Sequence, residues 1–208
     1  MVTTISSFAV GVVMWPALEF ALHNWLGHVA RGKNAFSREH LKHHAVKDFF
    51  APSWKKAAAA VPVFSVVGAA STALLGRAEG IALTSGFAVT YLAYEVVHRR
   101  CHTSPPRGPY SRWARKNHFY HHFMSPKTNH GVTTPFFDML AGTYRKPDVV
   151  RVPERFAMDW LVDAQTGEVR EEFRSDYELR RAPKSAAHRA ATSEEDLAAA
   201  YAGSAPSA

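Results

Sequence analysis

"AAAAVPVFSVVGAASTALL", Ala57 to Leu75, runs for nineteen residues without a charge. A helix of that length in a soluble bundle would keep a polar face, and this one has none, so it reads as a membrane helix. Ile5 to Leu22 and Ile81 to Val97 are apolar stretches of similar length, each near the ~20 residues that cross a bilayer core as helix. Pro16 and Glu19 interrupt the first, and a kink at the proline is tolerable where neighbouring helices re-satisfy the backbone. "GRAEG", Gly76 to Gly80, reads as a short turn that folds the second and third stretches into an antiparallel hairpin.

The charges respect these spans. Residues 1 to 30 hold no Lys or Arg, and residues 57 to 98 hold only Arg77. Between them lie Arg31, Lys33, Arg38, Lys42, Lys47, Lys55 and Lys56. The positive-inside rule therefore predicts that this connection and the long C-terminal half face the cytoplasm, with the N-terminus outside. The N-terminus has neither the basic start nor the cleavage site of a secretory signal, so its apolar segment is expected to stay in the mature chain. The net charge of +7 comes with no RNA-binding or recognition-helix motif, which argues against nucleic acid. A single cysteine, Cys101, excludes an internal disulfide framework and a cysteine-based zinc site.

Ten of the twelve histidines fall in four boxes: "HNWLGH" (His23, His28), "HLKHH" (His40, His43, His44), "HRRCH" (His98, His102) and "HFYHH" (His118, His121, His122). Chance would give an H-x-x-H-H about 0.04 times in such a chain, and two occur. Residues three and four apart share a helix face, so each of the last three boxes reads as a small chelating claw. His23 and His28 are five apart, about 140° around an ideal helix, and need either a bulge or two different metals. Ten imidazoles exceed one metal's capacity, and two metals with about five each is the economical count. Imidazole suits iron, zinc and copper alike. All four boxes meet at one membrane face, where a lipid substrate could slide in from the bilayer.

Outside the boxes, His188 reads as a surface residue, and His130 as a structural residue or a partner of the ligands rather than, as the alternative, a further ligand. Glu19, Glu39, Glu95 and Asp138 are candidate acceptors for imidazole N–H groups. Trp113 and Tyr120 read as packing or interfacial residues. "TTPFFDMLAG" is too short to span and reads as an interfacial or re-entrant piece. "WLVDAQTGEVREEF" suggests a small hairpin turning at Thr166 and Gly167. The expected organisation is an all-α membrane bundle with its histidine-rich site over residues 1–147, a small cap over 148–181, and a disordered tail over 182–208.

At its four boxes, and over roughly His23 to Thr143, the sequence resembles the fatty acid hydroxylase superfamily of membrane histidine-box oxygenases, which includes sterol desaturases and carotene hydroxylases. "NHGVTTPFFDMLAGTY" is similar to the segment after the family's last box, with Asn129, Gly131, Asp138, Gly142 and Thr143 at its recurring places. The resemblance implies two iron ions, with zinc as the substitute, held by the ten boxed histidines. It also implies dioxygen-dependent attack on an unactivated C–H bond, with no catalytic side chain beyond the ligands. A fatty acyl, sterol-like or isoprenoid substrate would come from the bilayer, and electrons from a separate ferredoxin or b-type cytochrome. Carotenoid ring hydroxylation and lipid desaturation share this site. A metal-transport protein would instead line a pore through the bilayer with its histidines.

Overall fold

The computed structural model describes residues 2–181; the 182–208 segment, with His188, lies outside the described residues. Helix α1 (Val2–Ala21) continues without a break into a π-helical segment, Leu22–Val29. Helix α2 (Ala35–Ala45) lies between it and the hairpin of α3 (Ser53–Leu75) and α4 (Arg77–Thr103). Then come α5 (Pro109–Phe123) and the short α6 (Phe136–Leu140). The chain is thus all-α up to its last part, and three helical stretches, Val2–Val29, Ser53–Leu75 and Arg77–Thr103, are long and apolar enough to cross a membrane.

These spans exceed the sequence expectation because their polar ends stay helical. The "GRAEG" turn contracts to one residue: Gly76, at φ 89°, ends α3 and opens α4 directly. That left-handed backbone favours glycine. The first span also runs past Leu22, carrying His23 and His28 inside its last turns.

Helices α1 and α4 pack backbone against backbone through glycine. A Cβ at Gly11 would strike the Leu83 carbonyl, and one at Gly86 would strike the carbonyl of Phe8. Trp15 seals the next layer against Phe87, Tyr91 and Tyr94, with ring centres 5.7, 4.7 and 5.3 Å away. This registry sets the ends of α1 and α4, and so their histidines, at one level. The second span, α3, leans on α4 through small residues, where Ser71 Oγ donates to the Gly80 carbonyl at 3.2 Å.

Helix α2 is fixed by its cap. The Asn34 side chain accepts from the Ser37 N–H at 2.7 Å, and buried Ser37 Oγ donates to the Gly27 carbonyl of the π segment at 2.6 Å. Buried Arg115 clamps the α4–α5 connection by donating to the carbonyls of Arg100, Ser104 and Ser111. After α6, the "TGEV" turn closes a single antiparallel bridge between Val162 and Val169, the remnant of the expected hairpin. The sequence reading missed a two-stranded parallel pair, β1 (Val150–Pro153) with β2 (Tyr177–Arg180). Its inward Val150, Val152 and Tyr177 join Trp160, Leu161 and Phe173 against Phe119 of α5, and this core braces the last histidine box from behind.

Candidate metal centre

The ten boxed histidines sort into two groups of five. His23, His28, His40, His44 and His121 form the first cluster; His43, His98, His102, His118 and His122 form the second. Within each cluster every residue offers a nitrogen within 4.8 Å of all the others. Boxes one and three each serve one cluster, whereas boxes two and four are shared. The expectation of one claw per box is corrected here. The i, i+4 pairs His40/His44, His98/His102 and His118/His122 stay together, and the i+3 members His43 and His121 cross to the other cluster. Helix geometry accounts for this, because a residue four along sits about 100° around from a residue three along.

The π segment resolves the spacing of His23 and His28. Its i→i+5 bonding, seen where the Ala30 N–H donates to the Trp25 carbonyl at 3.0 Å, brings residues five apart to one side. Both rings then join the first cluster.

Backbone carbonyls set the direction of three rings. His23 Nδ1 donates to the His130 carbonyl (2.5 Å), His43 Nδ1 to that of Phe49 (2.7 Å), and His121 Nδ1 to that of Thr128 (2.7 Å). A carbonyl only accepts, so these Nδ1 atoms carry the protons and the Nε2 lone pairs are free to bind. Nε2 atoms converge at 2.9 Å between His28 and His121, 2.8 Å between His28 and His40, 2.9 Å between His43 and His98, and 2.8 Å between His102 and His118. Among the described residues, the buried Nε2 atoms of His23, His44 and His122 have no hydrogen-bond partner. An unmet buried acceptor costs about 1–3 kcal/mol, and lone pairs gathered at one point are unfavourable unless a cation sits among them. The donor set therefore fits a pair of metal ions.

Burial, reinforced by neighbouring imidazoles, holds His40, His44, His118, His121 and His122 well below the usual histidine range. Burial pushes His43 down to about 4. These rings stay neutral at pH 7, the state a metal requires.

The carboxylates behave differently from expectation. Glu39 pairs with Lys55 and Glu95 with Lys56, and among the described residues neither carboxylate accepts from an imidazole. Glu19, buried in α1, accepts from the Val132 N–H at 2.5 Å and the Thr133 hydroxyl at 3.0 Å, so it anchors a loop rather than a ring. Only Asp138 meets an imidazole, that of His130 at 3.2 Å. It also accepts from the N–H groups of His130 (2.9 Å) and Gly131 (2.7 Å) and from the Thr143 hydroxyl (2.7 Å). Burial works to raise its pKa, but these hydrogen bonds outweigh it and hold the carboxyl below its ordinary range. Asp138 thereby fixes the 129–131 loop whose carbonyl orients His23. Asp138→Ala is expected to lower metal affinity about 10- to 100-fold, read by chelator competition.

The backbone acceptors Phe49, Thr128 and His130 were invisible in the sequence, since any residue type can supply a carbonyl. Asn129 and Asn117 left a faint signal. Asn129 takes a left-handed turn (φ 56°) and exchanges two hydrogen bonds with the Arg145 backbone; buried Asn117 donates to the Gly131 carbonyl at 2.8 Å.

Apolar spans ending in two imidazole clusters define a membrane protein with histidine groups that could bind metal. The chain belongs to the fatty acid hydroxylase family, which it matches over residues 8–143. It is 27% identical over 144 residues to a dihydroceramide fatty acyl 2-hydroxylase of Arabidopsis thaliana, covering 65% of this chain and 59% of that protein. It is 30% identical over 150 residues to the ceramide very long chain fatty acid hydroxylase of Saccharomyces cerevisiae, covering 68% of this chain and 38% of that one. The chain thus spans less than two thirds of these relatives. A solved structure of full-length Scs7p, in which only the hydroxylase domain is visible, superimposes with a TM-score of 0.55 at 25% identity, over 70% of this chain and 58% of the other.

Proposed function

We propose that this chain hydroxylates a fatty acyl chain at the carbon next to its carbonyl, using dioxygen and electrons from a separate carrier. The carrying observation is the position of the two clusters, at the ends of the spans and above an apolar cleft. That cleft, of about 720 Å³, lies between α1 and α3, with Phe87 of α4 as its floor; Met14, Leu18 and Ala21 form one wall and Pro62, Val63 and Val66 the other. Met14 and Ala21 are seven residues apart, so the cleft follows the helix axis for roughly 10 Å. It finishes two residues short of His23.

An acyl chain lying in such a cleft keeps its tail among lipid and its carbonyl end at the membrane border. The carbon beside the carbonyl then comes nearest the imidazoles. The 2-hydroxylase names of the relatives point to the same carbon. Mid-chain desaturation would instead require the carbonyl end to pass beyond the imidazoles.

The first cluster would hold one iron and the second the other, with zinc as the possible substitute; bound there, the pair supplies activation of dioxygen. One oxygen atom enters the C–H bond, and the other leaves as water with two electrons and two protons. The chain's own residues orient, shield and admit. Carbonyls of Phe49, Thr128 and His130 hold three rings in register. Phe50 packs within 5.3 to 5.8 Å of His43, His98 and His102 and narrows the approach to the second cluster. A smaller polar cavity of about 280 Å³, lined by Arg99, Thr103 and Asp159 and touching His102, reaches the second cluster from the side opposite the bilayer. Seven basic residues between Arg31 and Lys56 support a cytoplasmic site and an acidic ferredoxin or b-type cytochrome as donor, with docking that weakens as salt rises.

The cleft is tested by filling it. Val66→Trp is expected to lower hydroxylated product at least about tenfold while both metals stay bound, since Val66 is exposed and belongs to neither imidazole cluster. Unchanged product and chain-length range would remove the acyl chain from this cleft.

A further inference from the structure

His130 stands beside the first cluster without belonging to it. Its ring centre lies 5.3 Å from His121, 5.5 Å from His23 and 6.0 Å from His28, and the residue is only 1% exposed. Asp138 faces its Nδ1 at 3.2 Å. Asp138 already accepts from two backbone N–H groups and a hydroxyl, and a carboxylate can only accept, so Nδ1 carries the ring proton. Nε2, across the ring from Asp138, is then a bare lone pair. It is buried and, among the described residues, has no hydrogen-bond partner. The His23, His44 and His122 lone pairs share that condition but sit within their clusters, where a metal answers them. His130 does not. A buried acceptor held so firmly calls for a donor, and no side chain or backbone N–H supplies one.

We propose that His130 is a positioning residue of the first metal site, whose Nε2 accepts a hydrogen bond from a small protic ligand, water being the simplest, held at that cluster. This rests on the metal-centre reading. Among the described residues no further histidine stands beside the second cluster, so the two sites differ: the first favours protic ligands over aprotic anions, and the second has no such preference.

The test uses the full chain, purified with iron, oxidised, and titrated optically with azide, an anion that brings no hydrogen to Nε2. His130→Phe is expected to keep the parent's metal content and to bind azide about three- to tenfold more tightly, because the competing water loses its acceptor. His130→Gln, whose Oε1 can accept, should stay near the parent. His130→Leu gives the same reading as the phenylalanine if the larger ring does not fit beside Phe20. Loss of one metal in the apolar variants would make His130 a ligand and overturn the proposal. Azide affinity that is unchanged or weakened in them overturns it as well. A parent that holds no metal overturns the metal-centre reading itself, a result the metal analysis reports separately from the azide titration.

Discussion

His121→Ala is expected to strip the centre of at least one metal and to abolish the hydroxylated lipid. His121 is fully buried, its Nδ1 is tied to the Thr128 carbonyl, and its Nε2 meets that of His28 at 2.9 Å. It is the one member of its box that crosses to the first cluster, so no neighbour on α5 can replace it. Losing a residue that merely orients a ligand typically costs 10- to 100-fold in metal affinity, and losing the ligand itself should cost more than about 100-fold. Metal analysis of purified protein reads the first effect, and mass spectrometry of membrane lipids the second. Wild-type metal content together with wild-type product would remove His121 from the site.

Gly86→Leu should prevent the bundle from assembling. A Cβ there meets the Phe8 carbonyl, which is backbone and cannot rotate away, and Gly11 presents the same obstacle from the other helix. Overpacking usually costs about 1–3 kcal/mol where side chains can shift, and this contact offers no side chain to shift. The expected outcome is aggregation or a destabilisation beyond that range, measured by thermal unfolding in detergent. Gly68→Ala is the control, since its Cβ would meet only Thr84 side-chain atoms at 3.7 Å. That change should be neutral or stabilising by up to about 1 kcal/mol, the usual gain of alanine over glycine within a helix. Equal stability of the two variants would contradict the close α1–α4 packing.

Much of this architecture was legible because membrane spans and histidine boxes are written as local patterns. An uncharged run such as Ala57 to Leu75 needs no tertiary information, and H-x-x-H-H gathers three candidate ligands within five residues. The sorting of ten imidazoles into two groups of five was also within reach, as was a bulge as one of two ways to reconcile His23 with His28. What the boxes could not reveal was their division. Whether His43 sides with His40 or with His98 depends on how α2 lies across the end of α4, and that is a tertiary fact. Two of the candidate carboxylates that miss an imidazole do so for a similar reason. Glu39 and Glu95 stand near histidines in sequence, yet Lys55 and Lys56 reach them first. The parallel pairing of Val150–Pro153 with Tyr177–Arg180 joins short segments more than twenty residues apart, each too short to show a strand period.

Isotope-labelled dioxygen offers the most direct test of the central claim. Cells expressing the parent chain and a compatible electron donor should accumulate acyl chains with one labelled oxygen in a hydroxyl beside the carbonyl, and cells expressing His121→Ala should not. Parent protein that carries two metals, is reduced by its donor and yet leaves no labelled hydroxyl in any acyl chain would contradict the account.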